Sequence, residues 1–298
     1  MTLLVLTTDE LRAAATMSGS APPAAMDGGW ADEDLAVADV VALRGLQARG
    51  LATVRHSDAG VEVALTAAVS TAVRPLLGSD VVIEVVRDTV SGAQRWLIGQ
   101  DGDATVVAEE REPDVWRLSA ADAPAPRTAA KIIAELTAEL PADQVFAGTV
   151  ATVPTPVLIA AEKRASNNEP AAVIAELTDA GLPDADAATV AAILVKVSAF
   201  VTIRRVTHGD GLWTVHALTW LEAGTCGTWL AIPTRAAGPD DKPAADLDHQ
   251  RVEDLPYADE LDSVTELHAV GPADIRAELA ELLGGGLDEV PWADGTGR

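Results

Sequence analysis

The sequence predicts an α+β protein made of two pseudo-symmetric halves, each an antiparallel β-meander flanked by helices. The chain has 298 residues, of which 48% are hydrophobic, so it can bury a sizeable core. Its strand-like segments are joined by short turns, and such strands pair antiparallel because a parallel connection needs a long crossover. The order helix, four strands, helix occurs twice. We therefore expect a single domain over 1–298, with halves at about 1–145 and 165–285.

The first half begins with a short apolar strand over residues 3–6 and a helix whose start is clearly marked. Thr7-Thr8-Asp9-Glu10 has the Ser/Thr-x-x-Glu form of a capping box, in which two side chains satisfy free backbone N–H groups. Apolar residues three and four positions apart predict a second helix, and Gly50 is a suitable stop for it. The later elements of this half are helices over 32–49, 65–77 and 128–140 and strands over 81–87, 95–99, 104–109 and 115–119.

A hairpin loop is predicted over residues 88–94, between the first two strands of the meander. Ser91-Gly92 is a turn signal within it. Arg87 and Arg95 bracket this loop, and Asp88 begins it. The two arginines fit either of two roles, as solvated ends of a hairpin or as partners for the carboxylates of another protein.

The second half follows a link over residues 150–156 that carries two prolines. Asp184 or Asp186 is predicted to cap a helix, and Gly284-Gly285-Gly286 to end the last one. The predicted helices cover 157–165, 167–181, 187–199 and 272–283, and the predicted strands cover 200–207, 212–222, 228–232 and 264–270. Residues 233–262 are predicted to form an acidic loop, and residues 284–298 a flexible tail.

The charge of the chain restricts its partners. Its 21 basic and 46 acidic residues give a net charge of −25, which argues against DNA or RNA because phosphate binding depends on clustered Lys and Arg. Cys226 is the single cysteine, so the sequence predicts neither an internal disulfide nor a cysteine-rich zinc site. No segment has the length of apolar sequence needed to cross a bilayer, and we expect a cytoplasmic protein.

Motifs with a known chemistry are missing from the sequence. The histidines do not follow zinc-binding spacings such as His-Glu-x-x-His, and no Gly-x-Ser-x-Gly nucleophile elbow occurs. Gly284-Gly285-Gly286 lacks the pattern of a phosphate-binding loop and is better explained as a helix end. The sequence therefore predicts no catalytic residue, no cofactor and no metal site.

Five tryptophans fall in predicted strands: Trp96, Trp116, Trp213, Trp220 and Trp229. A tryptophan in a half-buried sheet usually belongs to the core, since it buries a large apolar surface. A minority of such residues line protein-binding grooves, where tryptophan is a favoured anchor. Both roles stay open for each of the five.

Several segments together resemble the EspG family of ESX (type VII) secretion-associated proteins. The resemblance covers most of the chain in the order of its elements. It is carried by the opening strand with Thr7-Thr8-Asp9-Glu10 and Pro22-Pro23, the helix ending in Arg49-Gly50-Leu51, the helix over 65–75 that leads into 81–87, the strand Leu218-Thr219-Trp220-Leu221 and the strand and helix over 267–283.

The resemblance implies a cytosolic chaperone that binds the helical tip of cognate PE–PPE substrate pairs and keeps them soluble for export. Such a protein needs a groove between sheet and helices, and it needs no cofactor or catalytic residue. The partner-binding residues expected on this basis are Arg87, Asp88, Arg95, Trp220, Ile275 and Leu279.

Two other functions compete with this interpretation. One is an enzyme whose site is assembled from scattered Asp, Glu and His residues, which converging carboxylates of raised pKa in a cleft would favour. The other is a regulator, because the helix, Arg-Gly-Leu and short strand over 35–63 resemble part of a winged helix. The net charge argues against a DNA-binding regulator.

Overall fold

The protein is described by a computed structural model over residues 4–18, 32–57, 60–77, 81–138, 140, 150–209, 212–235 and 263–285. These residues fall into two compact units. The first unit is drawn from residues 1–85, 94–129 and 205–208, and the second from residues 86–93, 130–204 and 209–298. Both units contain helices and antiparallel strands, which confirms the α+β class.

The first unit consists of an antiparallel sheet covered by helices. Its elements in chain order are β1 (Leu4–Thr7), α1 (Thr8–Met17), α2 (Asp32–Ala48), β2 (Ala52–Ser57), β3 (Gly60–Leu65), α3 (Ala67–Leu77), β4 (Val81–Thr89), β5 (Gly92–Asp101), β6 (Ala104–Glu112) and β7 (Val115–Ala121), and α4 (Ala125–Thr137) follows. The strand order β1-β7-β6-β5-β4 places the opening strand beside the last strand of the meander. Residues of α1, α2 and α3 form one buried core with β5, β6 and β7.

The predicted capping box at the start of α1 is confirmed. The Thr7 hydroxyl accepts from the Glu10 backbone N–H at 3.1 Å, and the Glu10 carboxylate accepts from the Thr7 backbone N–H at 3.0 Å. Arg49 Nη1 lies 2.7 Å from the same carboxylate, which satisfies the charge of Glu10, a residue only 5% exposed. Gly50 follows α2 with φ +70°, as expected for a helix stop.

The backbone of helix α3 is in direct contact with the backbone of a strand in the first unit. A Cβ atom built on Gly99 of β5 would lie 1.8 Å from the carbonyl oxygen of Pro75 and 2.8 Å from Cα of Leu76. Only a residue without a side chain fits between these two backbones. Gly99 therefore fixes how closely the helix layer packs against this sheet.

The second unit has the same order of elements, without an equivalent of the β2–β3 hairpin. Its elements are β8 (Val150–Pro154), α5 (Thr155–Ser166), α6 (Pro170–Asp179), α7 (Asp184–Lys196), β9 (Ala199–Gly209), β10 (Leu212–Glu222), β11 (Thr228–Arg235), β12 (Ser263–Val270) and α8 (Pro272–Leu283). The strand order is β9-β10-β11-β12-β8. The series begins at Val150, upstream of the predicted start of the second half near residue 165.

The predicted link over residues 150–156 is wrong, because its first part is strand β8. This strand pairs antiparallel with β12, with Val153 opposite Thr265 and Ala151 opposite Leu267. The partner strand lies more than a hundred residues away in the sequence, so no local pattern reveals the pairing. Pro154 ends the strand at the edge of the sheet, where a missing N–H donor is tolerated.

Two further predictions need correction. The hairpin between β4 and β5 has a tight turn at Val90 and Ser91, so Asp88 lies within strand β4. Gly92 has φ +127°, Thr89 Oγ1 donates to the Gly92 carbonyl at 2.8 Å, and Thr89 Oγ1 lies 2.9 Å from Ser91 Oγ. These features stabilise the turn. Asp184 and Asp186 lie in the first turn of α7, whose N-cap position is Pro183 without a side-chain cap.

The helices of the second unit cover both faces of its sheet. Residues of α5, α6 and α7 form a buried core with Leu221, Trp229 and Leu267. Helix α8 packs against β10 and β12, and its buried residues are not part of that core, which places it on the opposite face. Among the described helices, none combines the length and apolar character that a membrane span requires. The predicted acidic loop beyond Arg235 and the predicted tail beyond Gly285 lie outside the described residues.

Candidate functional site

A pocket of about 250 Å³ lies in the second unit, between the helix layer and the sheet. Helix α5 contributes Leu158 and Glu162, helix α7 contributes Leu194, and strand β9 contributes Phe200. Leu158, Glu162 and Phe200 are half-buried, so the pocket reaches the protein surface. Leu158 and Glu162 are four residues apart, which puts them on the same side of α5.

The floor of the pocket is built by alternate residues of three neighbouring strands. Thr219 and Leu221 of β10, Ala231 and Pro233 of β11 and Thr265 of β12 line it. The strand register places Thr219 opposite Ala231 and Pro233 opposite Thr265. Residues two apart on a strand point to the same face, so these side chains form one continuous patch.

The pocket is almost entirely apolar in character. Its two hydroxyl groups already have partners, since Thr219 Oγ1 lies 3.1 Å from Thr202 Oγ1 and Thr265 Oγ1 lies 3.0 Å from Thr155 Oγ1. The remaining lining, apart from Glu162, consists of Leu, Phe, Ala and Pro side chains. Such a surface gains free energy by burying an apolar group of a ligand.

Glu162 is the one charged group in the lining. Burial raises the pKa of the Glu162 carboxyl above its ordinary value, and the negative charge of Asp88 raises it further. Asp88 was expected to contact a partner, and it is exposed on β4. Within the described part of the chain, neither carboxylate has a hydrogen bond or an ion pair. Glu162 thus places a carboxylate in the lining of an apolar pocket, within the electrostatic influence of Asp88 on another element.

The two arginines expected to contact a partner are ion-paired within the protein. Arg87 Nη2 lies 2.8 Å from Oε2 of the buried Glu222, and the Arg87 side chain is 23% exposed. Arg95 lies in the first unit, with Nη1 3.5 Å from Oε2 of Glu110 and a side chain 40% exposed. Neither arginine is one of the residues that line the pocket.

The three apolar residues expected to contact a partner lie in the core. Trp220, Ile275 and Leu279 each have no exposed surface, so none can contact a partner directly in this structure. Trp220 lies on β10 between Thr219 and Leu221, and its side chain points to the opposite face from theirs, the face against which α8 packs. Trp116 and Trp229 are buried as well, as the core interpretation of these tryptophans predicts.

Sequence reasoning missed every residue of the pocket lining. The alternation along Leu218-Thr219-Trp220-Leu221 indicates two faces of a strand, but it does not show which face is left uncovered. Glu162 carries no signal in its surroundings beyond a helical pattern. The register of three strands and the packing of two helices bring these residues together, and only the folded chain contains that information.

The structure offers little support for chemistry beyond the carboxylate pair. Among the residues that the structure describes, no group of His, Cys, Asp and Glu side chains could hold a metal ion. His268 Nε2 lies 2.9 Å from Oε2 of Glu266 on the same strand, and His216 is exposed. Neither histidine lines the pocket.

Comparison with known proteins gives a family and a fold. The model of the EspG family matches residues 8–245. Among solved structures, the chain is similar to the Mycobacterium tuberculosis type VII secretion system chaperone EspG5 in its complex with the PE25–PPE41 dimer, with 12% sequence identity, a TM-score of 0.50 and 98% of each chain covered. At this identity the likeness shows the fold. No curated protein matches the sequence significantly.

Proposed function

The chain belongs to the EspG family, and on this premise we propose that it is a chaperone of a type VII (ESX) secretion system that binds helical PE–PPE substrate pairs. The solved EspG5 protein of the same overall fold is a chaperone in complex with a PE–PPE dimer. The chaperone acts in the cytoplasm, before export, and it catalyses no reaction. It shields the apolar tip of its substrate and so keeps the substrate soluble.

The observation that carries this proposal is the apolar pocket of the second unit. Its volume of about 250 Å³ suits one or two apolar side chains rather than a large cofactor. A side chain that enters it leaves water and contacts Leu158, Leu194 and Phe200. Buried apolar anchors of this kind supply most of the binding free energy at protein interfaces.

The proposal is tested by coexpressing the chain with PE–PPE pairs from its own genome and following comigration on size exclusion. A stable complex with one of these pairs supports it. If none of the pairs comigrates with the chain, the proposal is wrong.

A matched pair of variants on α5 tests the place of binding. Leu158→Gln makes the pocket wall polar, and we expect the affinity for the comigrating pair to fall about tenfold, or about 1.4 kcal/mol. Ile159→Gln is the same change at the neighbouring residue, which is 51% exposed and outside the lining, and it should alter the affinity less than about twofold. Thermal melting checks that both variants fold. Equal losses of affinity would exclude the pocket as the docking place.

The Glu162 carboxylate also favours a second candidate, an enzyme that uses it as an acid or base. A raised carboxyl pKa beside a cleft is a feature of such sites. The lining, however, offers no His, Cys or Ser side chain, and both of its hydroxyls are engaged by other threonines. The apolar lining therefore favours docking over catalysis.

A further inference from the structure

We propose that Asp88 and Glu162 select partners in which the apolar anchor is flanked by a lysine or arginine, so that the anchor fills the pocket while the cation lies between the two carboxylates. This inference rests on the proposed function, because it concerns the same pocket and the same class of helical partner. It adds a chemical criterion by which one helical partner is distinguished from another.

The geometry places the carboxylates where a flanking side chain would reach them. Glu162 is on α5 one turn after Leu158, so its carboxylate borders the apolar wall. Arg87, the residue before Asp88 on β4, contacts Glu222, the residue after Leu221 of the pocket floor. Because side chains alternate along a strand, Asp88 and Leu221 point to the opposite face from Arg87 and Glu222, which is the face of the pocket. The charge of Asp88 also raises the pKa of Glu162. A helix that buries an apolar residue in the pocket presents its residues three or four positions away to this rim.

Two other carboxylates of the same unit already have cations. Glu222 pairs with Arg87 at 2.8 Å, and Glu176 pairs with Arg164 at 2.6 Å. Lys163 directly follows Glu162, but neighbouring residues on a helix point in different directions, so it does not face the same rim. Among the described residues, no Lys or Arg forms an ion pair with Asp88 or Glu162. Within the described part of the chain, no ion pair therefore neutralises the negative charge of this rim.

The physical consequence is selectivity for charge. Two carboxylates on the same face of the protein repel each other, and an incoming ammonium or guanidinium group relieves that repulsion while it gains two attractions. An acidic flanking residue would add a third negative charge to the same place. The pair thus attracts one class of partner and also rejects another, which is how interfaces reach specificity.

Three helical peptides test this inference with the full chain. They share one leucine anchor and differ only in the residue one turn away, which is lysine, glutamine or glutamate. We expect the lysine peptide to bind at least about tenfold more tightly than the glutamate peptide in fluorescence anisotropy, a difference of about 1.4 kcal/mol. The preference should shrink as salt is added, because screening weakens exposed charge pairs.

Variants identify the groups responsible. Asp88→Asn combined with Glu162→Gln should remove the lysine preference, so that the lysine, glutamine and glutamate peptides bind the double variant within about twofold of one another. Glu176→Gln is the matched control: it changes a carboxylate of the same unit that is paired with Arg164 and lies outside the pocket lining. It should leave the lysine preference intact.

The inference is overturned if the three peptides bind equally, if none of them binds, or if the preference survives in the double variant. These results differ from those that would overturn the proposed function. A chain that comigrates with a PE–PPE pair but shows no lysine preference contradicts only the inference. A chain that prefers the lysine peptide but comigrates with no PE–PPE pair contradicts only the proposed function.

Discussion

The two units of this protein use one order of elements for two different kinds of helix packing. In each, a short strand comes first, helices follow, and a four-strand meander ends beside that first strand. In the first unit, α3 touches the backbone of β5 at Gly99. In the second unit, α5 and α7 pack on part of the corresponding face of the sheet and leave the pocket over another part.

The two units differ most clearly at one alanine in the third strand of each meander. Ala108 of β6 lies between Leu97 and Leu118 of its neighbouring strands and is completely buried. Ala231 of β11 lies between Thr219 and Leu267 and lines the pocket. A shared topology therefore does not decide whether a sheet face is filled or open. The side chains that cover each face decide it.

The largest expected effect comes from adding a side chain at Gly99, where the backbone of α3 contacts the backbone of β5. Gly99→Ala places a Cβ atom against the carbonyl of Pro75, and neither backbone can move without separating the helix from the sheet. We expect a loss of about 3 kcal/mol in the free energy of unfolding, measured by urea denaturation.

Gly102→Ala is the control for that measurement. Gly102 lies in the next turn with φ +56° and open space around its Cβ position, so this variant suffers only the backbone penalty of about 1 kcal/mol. Equal losses in the two variants would mean that the close approach does not determine stability.

A second prediction adds the same side chain to both alanine sites. Ala108→Leu forces extra carbon atoms into a filled core and should lower the free energy of unfolding by about 2 kcal/mol. Ala231→Leu places its added carbons in the pocket and should change that free energy by less than about 0.5 kcal/mol. It should also weaken binding of the comigrating PE–PPE pair, because the anchor site is occupied. Equal destabilisation by thermal or urea unfolding would remove the contrast between the two units.

The smallest expected effect is a pH dependence of the free energy of unfolding that arises from Glu162 in the pocket. Because the pKa of Glu162 is raised in the folded protein, the folded state binds the proton more readily, and stability falls as pH rises through that raised value. Glu162→Gln removes this loss. We expect the variant to be more stable than wild type near pH 7, by less than about 1 kcal/mol because solvent screens a half-exposed group.

The difference should disappear below about pH 4, where the wild-type carboxyl is protonated in both states. Melting curves across this range measure it. Glu176→Gln, which removes an ion-paired carboxylate, should lack this pattern. A Glu162→Gln variant that is less stable than wild type near neutral pH would contradict the assignment of an unpaired, half-buried charge.

Local signals were sufficient for much of the fold. The bounds of β10 and α8 agree with their predictions, since turn residues flank the strand and Pro272 and Gly284 delimit the helix. The capping box at Thr7 and Glu10 is equally local. In contrast, β8 was missed because its partner β12 is remote in the sequence. Asp88 was placed in a loop because a tight two-residue turn cannot be distinguished there from a longer one.

The candidate site was much less predictable. Asp88 was predicted as a partner contact and Glu162 was not, because nothing near Glu162 in the sequence distinguishes it from other helical glutamates. Trp220, another predicted contact, lies on the same strand as two lining residues, and its side chain is buried on the other face. Alternation with a period of two shows that faces exist, and the tertiary packing decides which one is open.

The sequence by itself determined the class of fold, the repeated order of elements and the approximate position of most helices and strands, because these depend on residues within a few positions of one another. The tertiary structure decided the location of the pocket, the burial of Trp220, Ile275 and Leu279, and the influence of the Asp88 charge on Glu162. Those features arise from contacts between elements far apart in the chain. Their free energy depends on distances and dielectric surroundings that only the folded protein defines.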